Sequence, residues 1–135
     1  MKRALVTGAG GFIGNALTKY LKDKGYWVRG VDVKYPEWGE SAADEFEIYD
    51  LREGGQAQLA VMKDDRTISS KQIGYFDEVY ALAADMGGMG FISSHHAQIL
   101  RNNALININT LDAVLRIQIF QSRYHHRISA RGWYC

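Results

Sequence analysis

Cysteine occurs once in this 135-residue chain, at the last position, and proline once, at position 36. A single terminal thiol excludes an internal disulfide and fits a reducing, cytoplasmic setting. No stretch approaches the roughly 18 apolar residues of a membrane span, and the N-terminus lacks the apolar block of a signal peptide. No membrane partner is expected. An excess of charge of one sign is missing too: 16 Lys and Arg stand against 15 Asp and Glu, leaving no large field to attract nucleic acid or anionic lipid. The expected partner is a small molecule. The four histidines form two adjacent pairs, at 95–96 and 125–126. Neighbouring side chains diverge on a helix or a strand and no cysteine set accompanies them, so no metal site is expected.

The chain has the length of one domain. Apolar runs of strand length alternate with segments of helical period, as a parallel sheet covered by helices appears in sequence. The pattern predicts strands near 3–7, 27–32, 45–49 and 78–83. Between the first two, Phe12, Ile13, Ala16, Leu17, Tyr20 and Leu21 recur at helical spacing, and Gly25 stands where such a helix would end. This is a βαβ unit. Residues 33–40, with Pro36, read as a loop over the sheet, and residues 52–76 as a short helix around Ala57 to Met62 followed by exposed loop. A long helix is expected from His96 to Leu115, with Ser93 or Ser94 as its N-cap.

The opening stretch places Gly8, Gly11 and Gly14 between the first strand and its helix. Unpaired N–H groups and a partial positive charge at a helix N-terminus suit a pyrophosphate, provided the backbone can come close. Gly8 would permit the turn, Gly11 the phosphate contact, and Gly14 close packing of helix on sheet. Spacing alone also fits an ordinary turn. Asp32, at the end of the next strand, adds the acid that could bond both adenosine ribose hydroxyls and repel a 2′-phosphate, favouring NAD over NADP. Lys34 nearby weakens that preference. Asp50 would either meet the adenine amino group or cap its strand.

The spacing Thr7-Gly8-x-x-Gly11-x-x-Gly14, "DLR" at 50–52 and "LAA" at 82–84 resemble the extended short-chain dehydrogenase/reductase family of nucleotide-sugar epimerases and dehydratases. The block "LAADMGGMGFISSHHAQILRNNALININTLDA", residues 82–113, is similar to the corresponding block of the GDP-mannose 3,5-epimerase branch. The resemblance implies a truncated, Rossmann-like, doubly wound parallel α/β sheet over residues 1–115. It implies a cofactor, NAD, held by Gly8, Gly11, Phe12, Ile13, Gly14, Asp32, Asp50, Leu51, Ala83 and Ala84. It also implies a nucleotide-sugar substrate, GDP-mannose, met by Gly87 and Gly88. The alternative for the glycine-rich 84–92 stretch is a flexible loop. Asn103 matches a family asparagine that holds active-site backbone and water; a locally bonded helix asparagine is the other reading.

Family chemistry removes hydride from sugar C4, inverts C3 and C5, and returns the hydride. It needs a Tyr-x-x-x-Lys pair. The only such spacing here is Tyr20 to Lys24, on the first helix, so no catalytic residue is assigned and negligible turnover is expected of this chain alone. A related dehydratase or reductase, or a non-catalytic NAD-binding module, remain the alternatives. From Val114 the resemblance fades, and residues 116–135 read as a divergent tail. One reading makes residues 117–120 a fifth strand. The other is a shifted reading frame, because Tyr124-His125-His126-Arg127 can be encoded by TAT-CAT-CAT-CGN, whose neighbouring frame gives three serines. Apolar surface left uncovered by such a tail would favour self-association.

Overall fold

A computed structural model describes residues 1–62, 76–86 and 89–122. The elements are β1 (Arg3–Thr7), α1 (Phe12–Asp23), β2 (Trp27–Asp32), β3 (Glu45–Ile48), α2 (Gly54–Val61), β4 (Glu78–Ala81), α3 (Met89–Ser94) and α4 (His96–Ser122). The four strands form one parallel sheet in the order β3-β2-β1-β4. β1 is central in the β2-β1-β4 group, and its middle residues Ala4, Leu5 and Val6 are apolar because both of its faces are covered. Ala4 and Val6 pack with Leu21 of α1, whereas Leu5 packs with Ala57 and Ala60 of α2 and Ala113 of α4. Helices therefore lie on both faces, and the doubly wound Rossmann-like architecture expected from the sequence is present. Among the described residues no helix is long and apolar enough to cross a membrane.

α1 ends as its sequence predicts. Gly25 adopts φ 83°, and the N–H groups of Gly25 and Tyr26 donate to Lys22 O and Leu21 O at 3.0 Å each, satisfying the last carbonyls. Arg29 on β2 is only 5% exposed. Its guanidinium donates to Ala60 O and Met62 O, at the C-terminal end of α2, and to Glu45 of β3. A buried cation there is matched by a carboxylate and by helix-end carbonyls.

Two expectations are corrected. Residues 117–120 are part of α4, which runs on to Ser122, so they form no fifth strand. The helical register simply continues through Ile117, which packs beside Ala113 and Val114. The N-cap expected at Ser93 or Ser94 is also displaced: both belong to α3, the Ser94 hydroxyl donates to Gly90 O (3.0 Å), and His95 is the residue before α4. The tail codons behind the frame-shift reading, and the second histidine pair, lie outside the described residues.

The packing yields two predictions. A Cβ on Gly14 would stand 2.1 Å from Gly8 O, whereas one on Gly55 meets nothing within 4 Å. Gly14→Ala should cost about 2–3 kcal/mol or more by overpacking, and Gly55→Ala should be neutral or stabilise by about 0.5–1 kcal/mol; urea unfolding midpoints report both. The second concerns acid. Burial alone would raise the Asp44 carboxyl, but the Lys22 ammonium and the Val28 N–H outweigh it and hold its pKa below the usual 3.8. Glu78 is likewise held below 4.5: burial pushes it up, and the Tyr80 and Tyr26 hydroxyls with Lys2 bring it down. A depressed folded pKa gives stability that is complete above the unfolded value and lost as pH falls through the folded one. Unfolding midpoints should therefore hold from pH 7 to about pH 5 and fall steeply below about pH 4, with a shallower fall in Asp44→Asn.

Candidate functional site: a cleft at the strand ends

Four segments leave the carboxyl ends of the parallel strands on one side of the sheet, the usual place for a ligand in an open α/β fold. Together they line a cleft of about 370 Å³ whose walls include Gly8, Gly11, Asp32, Lys34, Asp50, Leu51, Arg52, Ala83, Ala84 and Asp85. Seven of the ten residues that the resemblance assigns to the cofactor thus meet at one site. Gly14 instead joins α1 to the loop below it. Phe12 and Ile13 sit in the first turn of α1, 77% and 70% exposed, with the Phe12 ring edge-on to Trp38 at 6.3 Å. Gly87 and Gly88 lie outside the described residues.

The glycine loop is shaped by contact on three sides. Gly8 has φ 71°, and a Cβ there would come within 2.8 Å of Leu82 C and 2.9 Å of Ala83 N, on the segment leaving β4. Gly10 is pressed against the end of β2, where a Cβ would meet Lys34 O at 2.4 Å. Gly11 is the exception: its nearest atom would be Gly8 O at 3.4 Å, an ordinary contact, and it borders the cleft. Gly11 is also the N-cap of α1, with no side chain capping the helix. First-turn N–H groups without a side-chain acceptor, beside a bare glycine, are what an anion requires.

Asp32 faces this loop. Its Oδ2 accepts the Gly10 N–H at 2.9 Å and its Oδ1 the Val33 N–H at 2.6 Å, so the carboxylate fixes the loop while lining the cleft. Lys34 is engaged by Glu37. Asp50 shows the strand-end capping geometry: its carboxylate accepts the Arg52 N–H at 3.0 Å and grips the Arg52 guanidinium at 2.6–3.1 Å. The hydrogen-bonded guanidinium holds its pKa below the usual range. The other reading of Asp50, a partner for adenine, needs the same carboxylate to be shared with Arg52, at the cleft wall where both stand.

Asn103 of α4 is not bonded locally within its helix. Its Oδ1 accepts the Asp85 N–H at 2.6 Å and its Nδ2 donates to Asp85 O at 3.2 Å, reaching 18 residues back along the chain. Asn102, only 2% exposed, donates from Nδ2 to the Asp85 carboxylate at 2.7 Å. Two turns on, Asn109 donates to Leu51 O (3.0 Å) and Arg52 O (2.8 Å). Sequence reasoning passed over Gly10, Arg52, Asp85, Asn102 and Asn109. The signal was there in part, since a helix that spends three asparagines on its packed side has backbone to hold.

The Tyr20–Lys24 spacing lies away from this cleft. Both residues line a separate depression with Lys2, Tyr26, Glu78 and Tyr80 at the amino ends of the strands, and Tyr20 is eight residues, about 12 Å of helix axis, beyond the first residue of α1. Among the described residues no three His, Cys, Asp or Glu side chains are grouped to hold a metal ion.

Comparison with known proteins agrees with this geometry. Residues 4–134 match the model of the NAD dependent epimerase/dehydratase family. The chain is 39% identical over 113 residues to GDP-mannose 3,5-epimerase 1 of Oryza sativa subsp. indica, covering 82% of this chain and 27% of the relative. To GDP-mannose 3,5-epimerase of Arabidopsis thaliana it is 39% identical over 110 residues, covering 80% and 26%. It spans about a quarter of the length of these relatives. Among solved structures, a UDP-glucose 4-epimerase superposes with a TM-score of 0.69 at 22% identity, over 87% of this chain and 33% of that one. The Thermus thermophilus UDP-glucose 4-epimerase complex with NAD gives 0.65 at 23% identity, over 87% and 35%. Fold, glycine cradle and family match converge: this chain belongs to the NAD dependent epimerase/dehydratase family.

Proposed function

We propose that the cleft holds NAD and that these residues are the cofactor-binding part of a nucleotide-sugar epimerase acting on GDP-mannose. The observation that carries the first half is the cradle itself, in which Gly8, Gly10 and Gly14 leave no room for a Cβ while Gly11 stays open beside uncapped helix amides. The second half is supported by the 39% identity to plant GDP-mannose 3,5-epimerases. In this reading Gly11 and the first-turn N–H groups of α1 take the pyrophosphate, and Asp32 takes the adenosine ribose. Asp50 and Leu51 border the adenine, Ala83 and Ala84 the nicotinamide end, and Gly87 and Gly88 the hexose. Bound NAD would supply reversible hydride removal from the sugar. The chain's own residues orient it: Asn103 fixes the backbone at Asp85, and so the wall that carries Ala83 and Ala84.

These residues bind and position, and none of them moves a proton. The only Tyr-x-x-x-Lys stands at the other end of α1, with the Lys24 ammonium over the Tyr20 ring, so this chain alone is read as a dinucleotide-binding part without turnover. A reducing cytoplasmic setting and self-association complete the proposal. The latter is supported by Leu100 (72% exposed), Ile108 (63%), Leu111 (41%) and Leu115 (44%) along α4.

Titration of NADH, followed by fluorescence, should saturate. Gly11→Ala should fold normally, because its Cβ has space, yet bind at least about tenfold more weakly, a loss of about 1.4 kcal/mol. Incubation of the chain with NAD and GDP-mannose should give no epimer above background. An unsaturable titration would remove the cofactor assignment, and epimer formation would remove the claim that this chain performs no chemistry by itself.

A further inference from the structure

Three charges meet where β2 leaves the sheet: Asp32, Lys34 and Glu37. The Lys34 backbone is fixed there, its carbonyl so close to Gly10 that a Cβ on the glycine would stand 2.4 Å away. Lys34 lines the cleft beside Asp32, and its ammonium is held by the carboxylate of Glu37, three residues on. Both carboxylates act on it, the Glu37 hydrogen bond most strongly, and they keep its pKa above the usual range.

We propose that Glu37 sets the preference between NAD and NADP by holding Lys34 away from the position of a 2′-phosphate. The inference rests on reading the cleft as a nicotinamide dinucleotide site. NADP differs from NAD by a phosphate ester on the adenosine 2′-oxygen, which brings up to two negative charges to the ribose corner. As built, Asp32, Lys34 and Glu37 together present one net negative charge there, so that phosphate meets repulsion from Asp32 and a lysine already neutralised. Without the Glu37 carboxylate the corner is neutral and Lys34 is free to turn toward the phosphate. Arg52, the other cation lining the cleft among the described residues, is gripped by Asp50. Asp85 is bonded to Asn102. Neither relieves the repulsion, since Arg52 is already paired and Asp85 is itself an anion. Glu37 thus acts at one remove, through Lys34, on a choice usually credited to the acid at the end of β2 or to a cation beside it.

The test is the ratio of NADPH to NADH dissociation constants, measured on the full chain at low salt and again at 0.5 M salt. Glu37 is exposed and outside the cleft wall, so Glu37→Gln should leave the thermal midpoint and NADH affinity unchanged within about twofold. NADPH affinity should rise about three- to tenfold, the range expected of freeing one surface cation. The gain should shrink at high salt and vanish in the Glu37→Gln, Lys34→Gln double variant. If NADH binds and Glu37→Gln leaves the ratio unmoved, or shifts both cofactors alike, the role of Glu37 is overturned and the cofactor site stands. If no variant binds either dinucleotide, both readings fall together.

Discussion

Where β1 passes into α1 the chain packs backbone against backbone, and the rest of the site is arranged around that contact. Gly14 presses on the Gly8 carbonyl, Gly8 on the segment leaving β4, and Gly10 on the segment leaving β2. With no side chains in between, the amino end of α1 is drawn down to the ends of the strands, and its free N–H groups open toward the same space as Asp32 and Ala83. A helix N-terminus elsewhere would carry the same partial charge. Here it is held beside the acid and the loops that line the same cleft, and so the contact turns a general helix property into a candidate site.

The carboxylates around the cleft hold loops before they hold any ligand. Asp32 ties the glycine loop to the end of β2, Asp50 closes the turn after β3 on Arg52, and Asp85 is bonded to Asn102 of α4. Each acid satisfies main-chain or side-chain donors of its own segment or of the neighbouring one. The cleft is therefore preorganised: geometry that would otherwise be ordered on binding is already fixed by the fold. Asp32 and Asp85 keep their charge while bonded to neutral protein donors, Asp50 is paired with Arg52, and the first turn of α1 keeps no side-chain cap.

The strands, the first helix and the glycine loop were legible because each rests on local chemistry. The middle of β1 alternates between two covered faces and so reads as a continuous apolar run, Gly25 marks the positive φ that ends α1, and Gly8 and Gly14 have contacts that leave no room for a Cβ. The asparagine at 103 came from resemblance; its residue type allowed a local bond, and only the folded chain shows it reaching Asp85. What sequence missed was long-range or a matter of register. Gly10 is constrained by Lys34 O, 24 residues away and on another strand's exit, and no periodicity reports that. Residues 117–120 carry β-branched and aromatic side chains at strand-like alternation, yet α4 carries straight through them because Ala113, Val114 and Ile117 keep the helical face packed on the core. Tertiary packing overrode propensity there.

α4 shows how stability and positioning part company. A helix that only filled the core would be expected to present leucines where this one presents Asn102, Asn103 and Asn109. A hydrogen bond contributes about 1 kcal/mol net, and a fully buried leucine about 1.5–3 kcal/mol, so burying asparagine is a poor route to stability. The three residues act on two different loops, with Asn102 and Asn103 fastening the segment after β4 and Asn109 the segment after β3. Both loops line the cleft, one on the adenine side and one on the nicotinamide side of the proposed ligand. Through these bonds a single rigid helix sets the distance between the two walls. Apolar side chains could fill the same volume, but contact without direction would leave that distance free to vary.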